Sequence, residues 1–364
     1  MANAEEEVDF VSFEVATVNN SVGAWSSIIN MPIIPIAAAN LPDGKLMTWS
    51  AHNKTVFGGQ NGQTWTAVFD PSNNSASEAL ITNTGHDMFC PGPNILPDGR
   101  VFVSRGSNSE KTSIYNPNTG QWTATNEMNI PRGYHASVML SSGANFVIGG
   151  SWSGGQFNKD AEIWTQKSGW YEVPGIPDDA IIDGINSIQP EHQDDYFAWL
   201  FQAPNGNIFH AGPSPKMTWI DPDGVGSYSD AGFRGNDVYS IGGTASMYDI
   251  GKILKAGGAE TFEEKTPANN KAFTIDFNGN NASASGTGNM AVSRTLHDAV
   301  VLPSGEVFVV GGLPTSFLFS DANSILTPEL WNPNTQSCNP TIRISQPPRV
   351  HLVMMEIQIQ QMMS

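Results

Sequence analysis

The sequence contains few cysteines and none of the common short motifs of hydrolases or zinc proteins. Cys90 and Cys338 are the only two cysteines in 364 residues, which is too few for a disulfide framework or a four-cysteine zinc site. No H-E-x-x-H or C-x-x-C stretch occurs, so the usual zinc signatures are absent. No G-x-S-x-G elbow supports serine-triad chemistry. Each cysteine taken alone is most simply interpreted as a small buried hydrophobe.

Charge is also scarce, and positive charge most of all. Charged residues make up 14% of the chain, against a typical share of about 25%. The 17 Lys and Arg against 35 Asp and Glu leave a net charge of −18, which repels phosphate backbones. No apolar run approaches the roughly 20 residues that cross a bilayer. We therefore expect neither nucleic acid nor a membrane as partner, and the acidic residues 1–10 predict no signal peptide there.

Turn-forming residues are abundant and recur in a repeated unit. The 36 Gly and 24 Pro predict many short strands rather than a helical bundle. A tight turn, an apolar strand and a glycine-rich exit occur together six times, with turn glycines about 52 residues apart on average, close to the kelch period of about 50. The turn glycines are Gly44, Gly99, Gly143, Gly206, Gly251 and Gly305.

A second motif follows each turn unit, an apolar strand closed by a polar turn as in IYNPNTGQW or LWNPNTQ. Two hairpins per repeat predict a four-stranded blade, and such blades packed in a ring form a β-propeller. A generic β-sandwich would explain the strand content but not the six-fold recurrence. We therefore predict an all-β, kelch-type propeller over residues 22–348 with six recognisable blades, an N-terminal tail over 1–21 and an aberrant tail over 349–364.

Three irregular loops between the predicted strands carry unusual side chains. They read GHDMFCPG with Cys90, PRGYHASVML with Tyr134 and GGSWSGG with Trp152. Taken singly, each is a weak signal, since a lone cysteine or a tryptophan between glycines is usually packing. In this order and in successive blades, they resemble the galactose oxidase-like copper-radical oxidases, and the similarity extends from Val22 to about Pro348.

The resemblance implies a cofactor and a reaction. The family binds one copper ion with two tyrosines and two histidines, and one tyrosine is joined to a cysteine through a thioether. By motif, Cys90 matches that cysteine, and Tyr134 matches the cross-linked tyrosine, which is a copper ligand and the radical site. Trp152 matches the indole that stacks over the thioether. The implied enzyme is a secreted oxidase that converts primary alcohols or galactose-like carbohydrates to aldehydes while reducing O₂ to H₂O₂.

The resemblance also suggests substrate contacts. Phe57 and Phe89 match aromatic walls of the sugar pocket, and Arg234 matches an arginine that hydrogen-bonds sugar hydroxyls. Leu313 stands where the family places a glutamine that helps to hold the sugar, so the resemblance does not imply a strict preference for galactose. These four residues are the predicted substrate-binding set.

The end of the sequence departs from the family pattern. The propeller has seven blades in the family, and the sequence implies that the last blade is incomplete and that a C-terminal domain is missing. Arg349-Val350-His351 follows the lead-in to an Arg-x-Tyr-His motif without its tyrosine, so His351 is a second, displaced candidate for a copper ligand. His86, His135 and His297 match no ligand position and are interpreted as structural. With so few ligands, we expect little oxidase activity from this chain, and a non-catalytic kelch scaffold is the alternative.

Overall fold

The computed structural model describes residues 29–57, 61–155, 158–182, 195–279, 281–318, 320 and 322–340, and these residues are almost entirely β-structure. They form six sheets of four antiparallel strands each, with neighbouring strands consecutive in sequence. The one described helix is α1 (Asp178–Ile181), a single turn between blades III and IV. In the residues that the structure describes, no helix has the length and hydrophobicity required to cross a bilayer.

The first three sheets are blades I to III. Blade I comprises β1 (Ala37–Asn40), β2 (Leu46–Trp49), β3 (Thr64–Asp70) and β4 (Ser75–Ile81). Blade II comprises β5 (Gly92–Ile95), β6 (Val101–Ser104), β7 (Thr112–Asn116) and β8 (Gln121–Ala124). Blade III comprises β9 (Ala136–Met139), β10 (Asn145–Ile148), β11 (Glu162–Thr165) and β12 (Gly169–Glu172).

The last three sheets are blades IV to VI. Blade IV comprises β13 (Trp199–Gln202), β14 (Ile208–Gly212), β15 (Lys216–Asp221) and β16 (Ser227–Phe233). Blade V comprises β17 (Thr244–Asp249), β18 (Lys252–Ala256), β19 (Ala272–Asp276) and β20 (Ser283–Gly286). Blade VI comprises β21 (Thr295–Val301), β22 (Val307–Leu313), β23 (Glu329–Asn332) and β24 (Ser337–Pro340).

The repeated turn joins the first and second strands in the same way in five of the six described blades, all except blade V. In blade II, the Gly99 N–H donates to the Leu96 carbonyl over 2.8 Å, and Gly143 repeats this bond to Leu140 in blade III at 2.8 Å. Gly99 has φ of 84° and Gly143 has φ of 80°, a backbone region that favours glycine. The turn therefore fixes the register of the first hairpin, and with it the residues that precede the first strand.

Hydrophobic packing joins each blade to the next. Five clusters of buried apolar side chains lie between blades I and II, II and III, III and IV, IV and V, and V and VI. First strands of neighbouring blades contact one another, as β5 does with β1 and with β9. None of these five clusters, which cover described residues only, joins blade VI to blade I.

The predicted all-β kelch-type propeller is confirmed for six blades. The seventh, incomplete blade stays a prediction, because residues 341–364 lie outside the described part of the chain, as do residues 1–28. The predicted tail boundaries at 21 and 348 therefore also stay predictions.

Candidate active site

A cavity of about 570 Å³ lies at the end of the propeller where the first strands begin. Its lining comes from blades II to VI and is rich in aromatic side chains, among them Tyr134, Trp152 and Tyr196. Cys90 also lines it. A second cavity, about 640 Å³, lies at the opposite end of blades V and VI, among turns such as that of Gly305, and no predicted site residue lines it. The chemistry that the sequence predicts thus collects in the first cavity.

Each of blades II to VI contributes one residue to this cavity from the same backbone position. The position lies nine residues before the turn glycine, and its φ is between 52° and 65° in all five blades. A non-glycine residue in this region costs about 1–3 kcal/mol and persists only where surrounding structure enforces it. The five residues are Cys90, Tyr134, Phe197, Gly242 and Leu296.

Hydrogen bonds between blades hold this backbone position. The Phe197 N–H donates to the Tyr134 carbonyl over 2.7 Å, and the Leu296 N–H donates to the Gly242 carbonyl over 2.7 Å. The Cys90 carbonyl instead accepts from Nη1 of Arg105 over 2.5 Å. Consecutive blades therefore place these five residues in the lining of one cavity.

Cys90 and Tyr134, which the motifs pair, both line this cavity. The Tyr134 phenol and the Cys90 thiol lie close enough that each influences the pKa of the other. Removal from water raises the pKa of the Cys90 thiol to about 11. The pKa of the Tyr134 phenol is raised well above its usual range. Burial is the main cause, and the nearby Cys90 contributes a smaller part. Both groups are therefore protonated near neutral pH.

Trp152 lies beside Tyr134 but in a different orientation from the predicted one. The two ring centroids are 5.1 Å apart with an interplanar angle of 83°, so the indole meets the phenol ring edge to face and not as a parallel stack. Phe197 contacts the same ring edge to face at 4.9 Å. Trp152 is 40% exposed and forms part of the cavity rim.

Glycines allow the Trp152 loop to lie directly on the Tyr134 loop. A Cβ added at Gly133 would come within 2.6 Å of the Ser153 backbone nitrogen. A Cβ added at Gly154 would come within 2.5 Å of the Pro131 carbonyl oxygen. Because contacts this close are not tolerated, both positions require glycine, and the GGSWSGG stretch is explained by this close approach.

Four aromatic residues of the cavity were not predicted from the sequence, namely Tyr196, Phe197, Trp199 and Phe262. Tyr196 is buried, with its ring 6.2 Å from that of Tyr134 and 6.2 Å from that of Phe262. Phe197 occupies the nine-residue offset shared with Cys90 and Tyr134, so the repeat itself contained a signal for it. No sequence signal identifies Phe262.

The predicted substrate-binding role of Arg234 is wrong. Its side chain is fully buried, and Nε donates to the Asp237 carboxylate over 2.9 Å. The rest of the guanidinium donates to backbone carbonyls, and its carbon lies 5.4 Å from the ring centroid of Trp199, which lines the cavity. Arg234 therefore supports the cavity wall from behind and has no free face for a sugar. The accepting carbonyls are those of Ala211, Pro213, Ser214 and Val238.

The other predicted substrate residues lie outside the cavity lining. Phe57 and Phe89 stack on each other with centroids 5.1 Å apart and an interplanar angle of 18°. Leu313 is buried at the end of β22, opposite Thr295. Contact of these three residues with substrate stays a prediction.

The three histidines interpreted as structural are buried and neutral. Nδ1 of His86 lies 2.9 Å from Ser113 Oγ, and Nε2 of His135 lies 3.0 Å from Ser104 Oγ. Burial lowers the pKa of His86 and of His297 to about 3, and lowers that of His135 well below 6.5. His297 also lines the cavity, with Nε2 3.2 Å from Thr244 Oγ1.

The described residues supply only part of a copper site. Tyr134 presents a phenol oxygen and Cys90 a thiol, but no group of three or more His, Cys, Asp or Glu within the described ranges is arranged to hold a metal. His351, the other predicted ligand, lies outside the described residues. A copper ion at Tyr134 would therefore need further donors from outside the described residues.

Comparison with known proteins places this geometry in a family. No protein-family model matches the chain. Two galactose oxidases of Gibberella zeae are each 35% identical over 323 residues, which is 86% of this chain and 47% of the relative. A fungal alcohol oxidase of the AA5 family, solved in complex with copper, is 36% identical with a TM-score of 0.83, covering 90% of this chain and 68% of that one. The chain belongs to the galactose oxidase-like family of copper oxidases.

Membership of this family confirms the resemblance that the three loops indicated. The chain spans about half the length of the galactose oxidases that it matches. The activity and substrates of those longer proteins therefore apply to this member only as proposals.

Proposed function

We propose that the chain forms the propeller of a copper-dependent oxidase that converts primary alcohols or galactose-like carbohydrates to aldehydes. The alcohol loses two electrons and two protons, and O₂ gains them to become H₂O₂. The observation that carries this proposal is the proximity of the Cys90 thiol and the Tyr134 phenol in one aromatic cavity. The family relationship to a copper alcohol oxidase supports it.

The Cys90–Tyr134 pair would become a built-in redox group. A ring C–H of Tyr134 next to the hydroxyl and the S–H of Cys90 break, and a C–S bond forms. The two electrons and two protons released reduce O₂ to H₂O₂. A sulfur atom conjugated to the phenol makes the ring easier to oxidise, so Tyr134 can serve as a one-electron centre.

The remaining residues of the site have binding and shielding roles. Tyr134 would provide one copper ligand, with His351 the further candidate, and copper when bound supplies the second one-electron acceptor. Trp152 and Tyr196 cover the Tyr134 ring, with Trp152–Tyr196 centroids 5.7 Å apart, and so exclude water from it. By resemblance to the family, the enzyme acts outside the cell.

The described lining of the cavity favours alcohols with an apolar body. Phe197 and Trp152 stand at the rim with 45% and 40% of their surfaces exposed, and Phe262 lies further along the wall. Arg234, the expected partner of sugar hydroxyls, is enclosed in the protein. Aromatic walls bind apolar surface well and provide few hydrogen bonds. We therefore propose that aromatic or aliphatic primary alcohols are better substrates than galactose.

Mass spectrometry after exposure to copper(II) and O₂ tests the proposal. We expect a cross-linked species in which the Cys90 and Tyr134 peptides are joined with the loss of two hydrogen atoms. The Tyr134→Phe variant should lack this species, because the ring is then not activated by a hydroxyl. The Cys338→Ser variant is the matched control, since Cys338 lies on β24, away from the cavity, and it should cross-link normally.

Peroxide release on benzyl alcohol and on galactose, with copper added, is the second measurement. Absence of the cross-link together with absence of copper binding would contradict the oxidase and favour the non-catalytic scaffold. Cross-linking that persists in Tyr134→Phe would contradict the assignment of the pair.

A further inference from the structure

Arg105 occupies a backbone position that four other blades fill with glycine. The position lies six residues after the turn glycine, and Arg105 has φ of 52° there. An arginine held in this region is strained, so its side chain must be stabilised by specific contacts. The equivalent glycines, with φ between 61° and 140°, are Gly149, Gly212, Gly257 and Gly311.

Arg105 also differs from the other buried arginines in its surroundings. It is 2% exposed, and among the described residues no carboxylate pairs with it, whereas Arg132, Arg234 and Arg294 each have one. Its Nε has no hydrogen-bond partner within the described chain. A guanidinium stays protonated in proteins, and a buried positive charge without a counter-charge is costly. Such a residue is expected where the charge has a function.

The contacts of Arg105 are with Cys90 and Tyr134. Nη1 donates to the Cys90 carbonyl over 2.5 Å, and the guanidinium carbon lies 5.1 Å from the centroid of the Tyr134 ring. The backbone of Arg105 is fixed in turn, because its N–H donates to the Lys111 carbonyl over 2.7 Å and Nε2 of His86 lies 3.0 Å from its carbonyl oxygen. The charge is therefore held in one place against both members of the pair.

We propose that Arg105 is a positioning residue of the Cys90–Tyr134 pair, and that it also raises the potential at which the Tyr134 ring loses an electron. The bond to the Cys90 carbonyl fixes the strained backbone from which the thiol reaches the phenol. A cation over the ring face attracts the π-electrons of the reduced ring and repels the electron-poor oxidised ring. The second part of this inference rests on the proposed function, since it concerns the oxidised ring.

The test uses Arg105→Gly, which gives blade II the residue of the other blades, and Arg105→Lys, which retains the charge. Arg100→Ala is the matched control, because Arg100 lies in the same blade on the exposed turn and pairs with Asp98. In metal-free protein, the rate at which Cys90 is alkylated is compared with that of Cys338 in the same sample. We expect Cys90 to be alkylated about tenfold faster in Arg105→Gly, because the bond that fixes the Cys90 backbone is lost. The alkylation rate of Cys338 should not change, and the rate of Cys90 in Arg105→Lys should lie between those of the unmodified chain and Arg105→Gly.

The second measurement is the midpoint potential of the Tyr134 radical in copper-loaded protein. We expect Arg105→Gly to shift the equilibrium about tenfold toward the oxidised ring, which lowers a one-electron potential by about 59 mV. Arg105→Lys should restore most of this shift, which a purely structural role would not predict. An unchanged potential in folded Arg105→Gly, or an equal shift in Arg100→Ala, would overturn the electrostatic part.

The two arms separate this inference from the proposed function. If the unmodified chain forms neither thioether nor radical, the proposed oxidase fails, and the alkylation rates alone decide whether Arg105 positions Cys90. Equal Cys90 alkylation in the unmodified chain, Arg105→Gly and Arg105→Lys would overturn the positioning role. If Arg105→Gly does not fold, the comparison of Arg105→Lys with Arg100→Ala gives the same decision.

Discussion

The loops that precede the first strands of blades III and VI have the same construction and carry different side chains. Tyr134 has φ of 61° and Leu296 has φ of 54°. Two residues earlier, Arg132 pairs with Glu162 at 2.9 Å, and in the same way Arg294 pairs with Glu329 at 2.6 Å. One loop thus presents a phenol to the cavity and the other an isobutyl group.

The surrounding hydrogen bonds repeat as well. Nη1 of Arg132 donates to the Gly149 carbonyl over 3.0 Å, and Nη1 of Arg294 donates to the Gly311 carbonyl over 3.0 Å. Each glutamate also accepts backbone N–H groups from the loop before its arginine, as Glu162 does from Asn129 over 2.8 Å. The arginine–glutamate pair therefore builds the blade, and the residue placed on top of it determines the chemistry.

Replacing Tyr134 by leucine makes the blade III loop chemically like that of blade VI. We expect Tyr134→Leu to fold and to form no thioether, because the phenol ring that the Cys90 sulfur would join is removed. Tyr171→Phe, on the exposed outer strand β12, is the matched control and should retain the cross-link. Cross-linking that survives in Tyr134→Leu would show that the two loops differ in something other than this side chain.

Removing the arginine should harm the two loops equally. Arg132→Leu and Arg294→Leu each leave a buried glutamate without its counter-charge, which costs about 3–5 kcal/mol of unfolding free energy. Chemical denaturation of both variants measures this loss, with Arg100→Leu on the exposed turn as the control. A large loss in one blade and almost none in the other would contradict the structural equivalence of the loops.

The fold could be predicted because its signal is local and repeated. Turn glycines such as Gly99 and Gly143 need φ above zero, and their spacing alone indicates the blades. Cys90 and Tyr134 were found by motif, and Phe197 was accessible from the same nine-residue offset. These predictions depend on positions within a repeat, and a repeat preserves positions.

Properties that depend on tertiary surroundings could not be predicted. In the sequence, Arg234 resembles any arginine on a loop. Only the folded chain reveals the five groups that accept hydrogen bonds from its guanidinium. The edge-to-face orientation of Trp152 depends on how its loop packs on the Tyr134 loop, which the motif does not encode. The sequence also does not show that Arg105, unlike the other buried arginines, has no paired carboxylate among the described residues.

The histidines behind the two loops should give both blades the same pH dependence. Burial lowers the pKa of His297 from 6.5 to about 3 and also lowers that of His135. Because the folded pKa lies below the unfolded one, the stabilisation is complete above about pH 6.5 and is lost as the pH falls toward 3. Each histidine contributes a slope of up to about 1.4 kcal/mol per pH unit in this window.

Denaturation between pH 4 and 7 of His135→Gln and His297→Gln measures these slopes. We expect each variant to lose stability less steeply on acidification than the unmodified chain, by one proton's contribution. An unchanged slope for either variant would show that its histidine is protonated in the folded protein.

The smallest expected difference concerns the glycine pair that accepts the arginine bonds. Gly149 and Gly311 both have φ of 74°, so alanine at either site is strained by about 1 kcal/mol. A Cβ at Gly311 has no atom within 4 Å, whereas a Cβ at Gly149 would come within 2.9 Å of the Asp195 carbonyl oxygen and 3.0 Å of Ile182 Cδ1. Gly311→Ala should therefore show the backbone strain alone, and Gly149→Ala should lose about 1 kcal/mol more because its neighbours must move. Thermal denaturation of the two variants gives this difference directly.

Because Arg105 occupies the equivalent position in blade II, the loss in Gly311→Ala also measures the strain that its contacts with Cys90 and Tyr134 have to offset. No loss in Gly311→Ala would show that the position tolerates side chains freely and that the Arg105 backbone is not strained there.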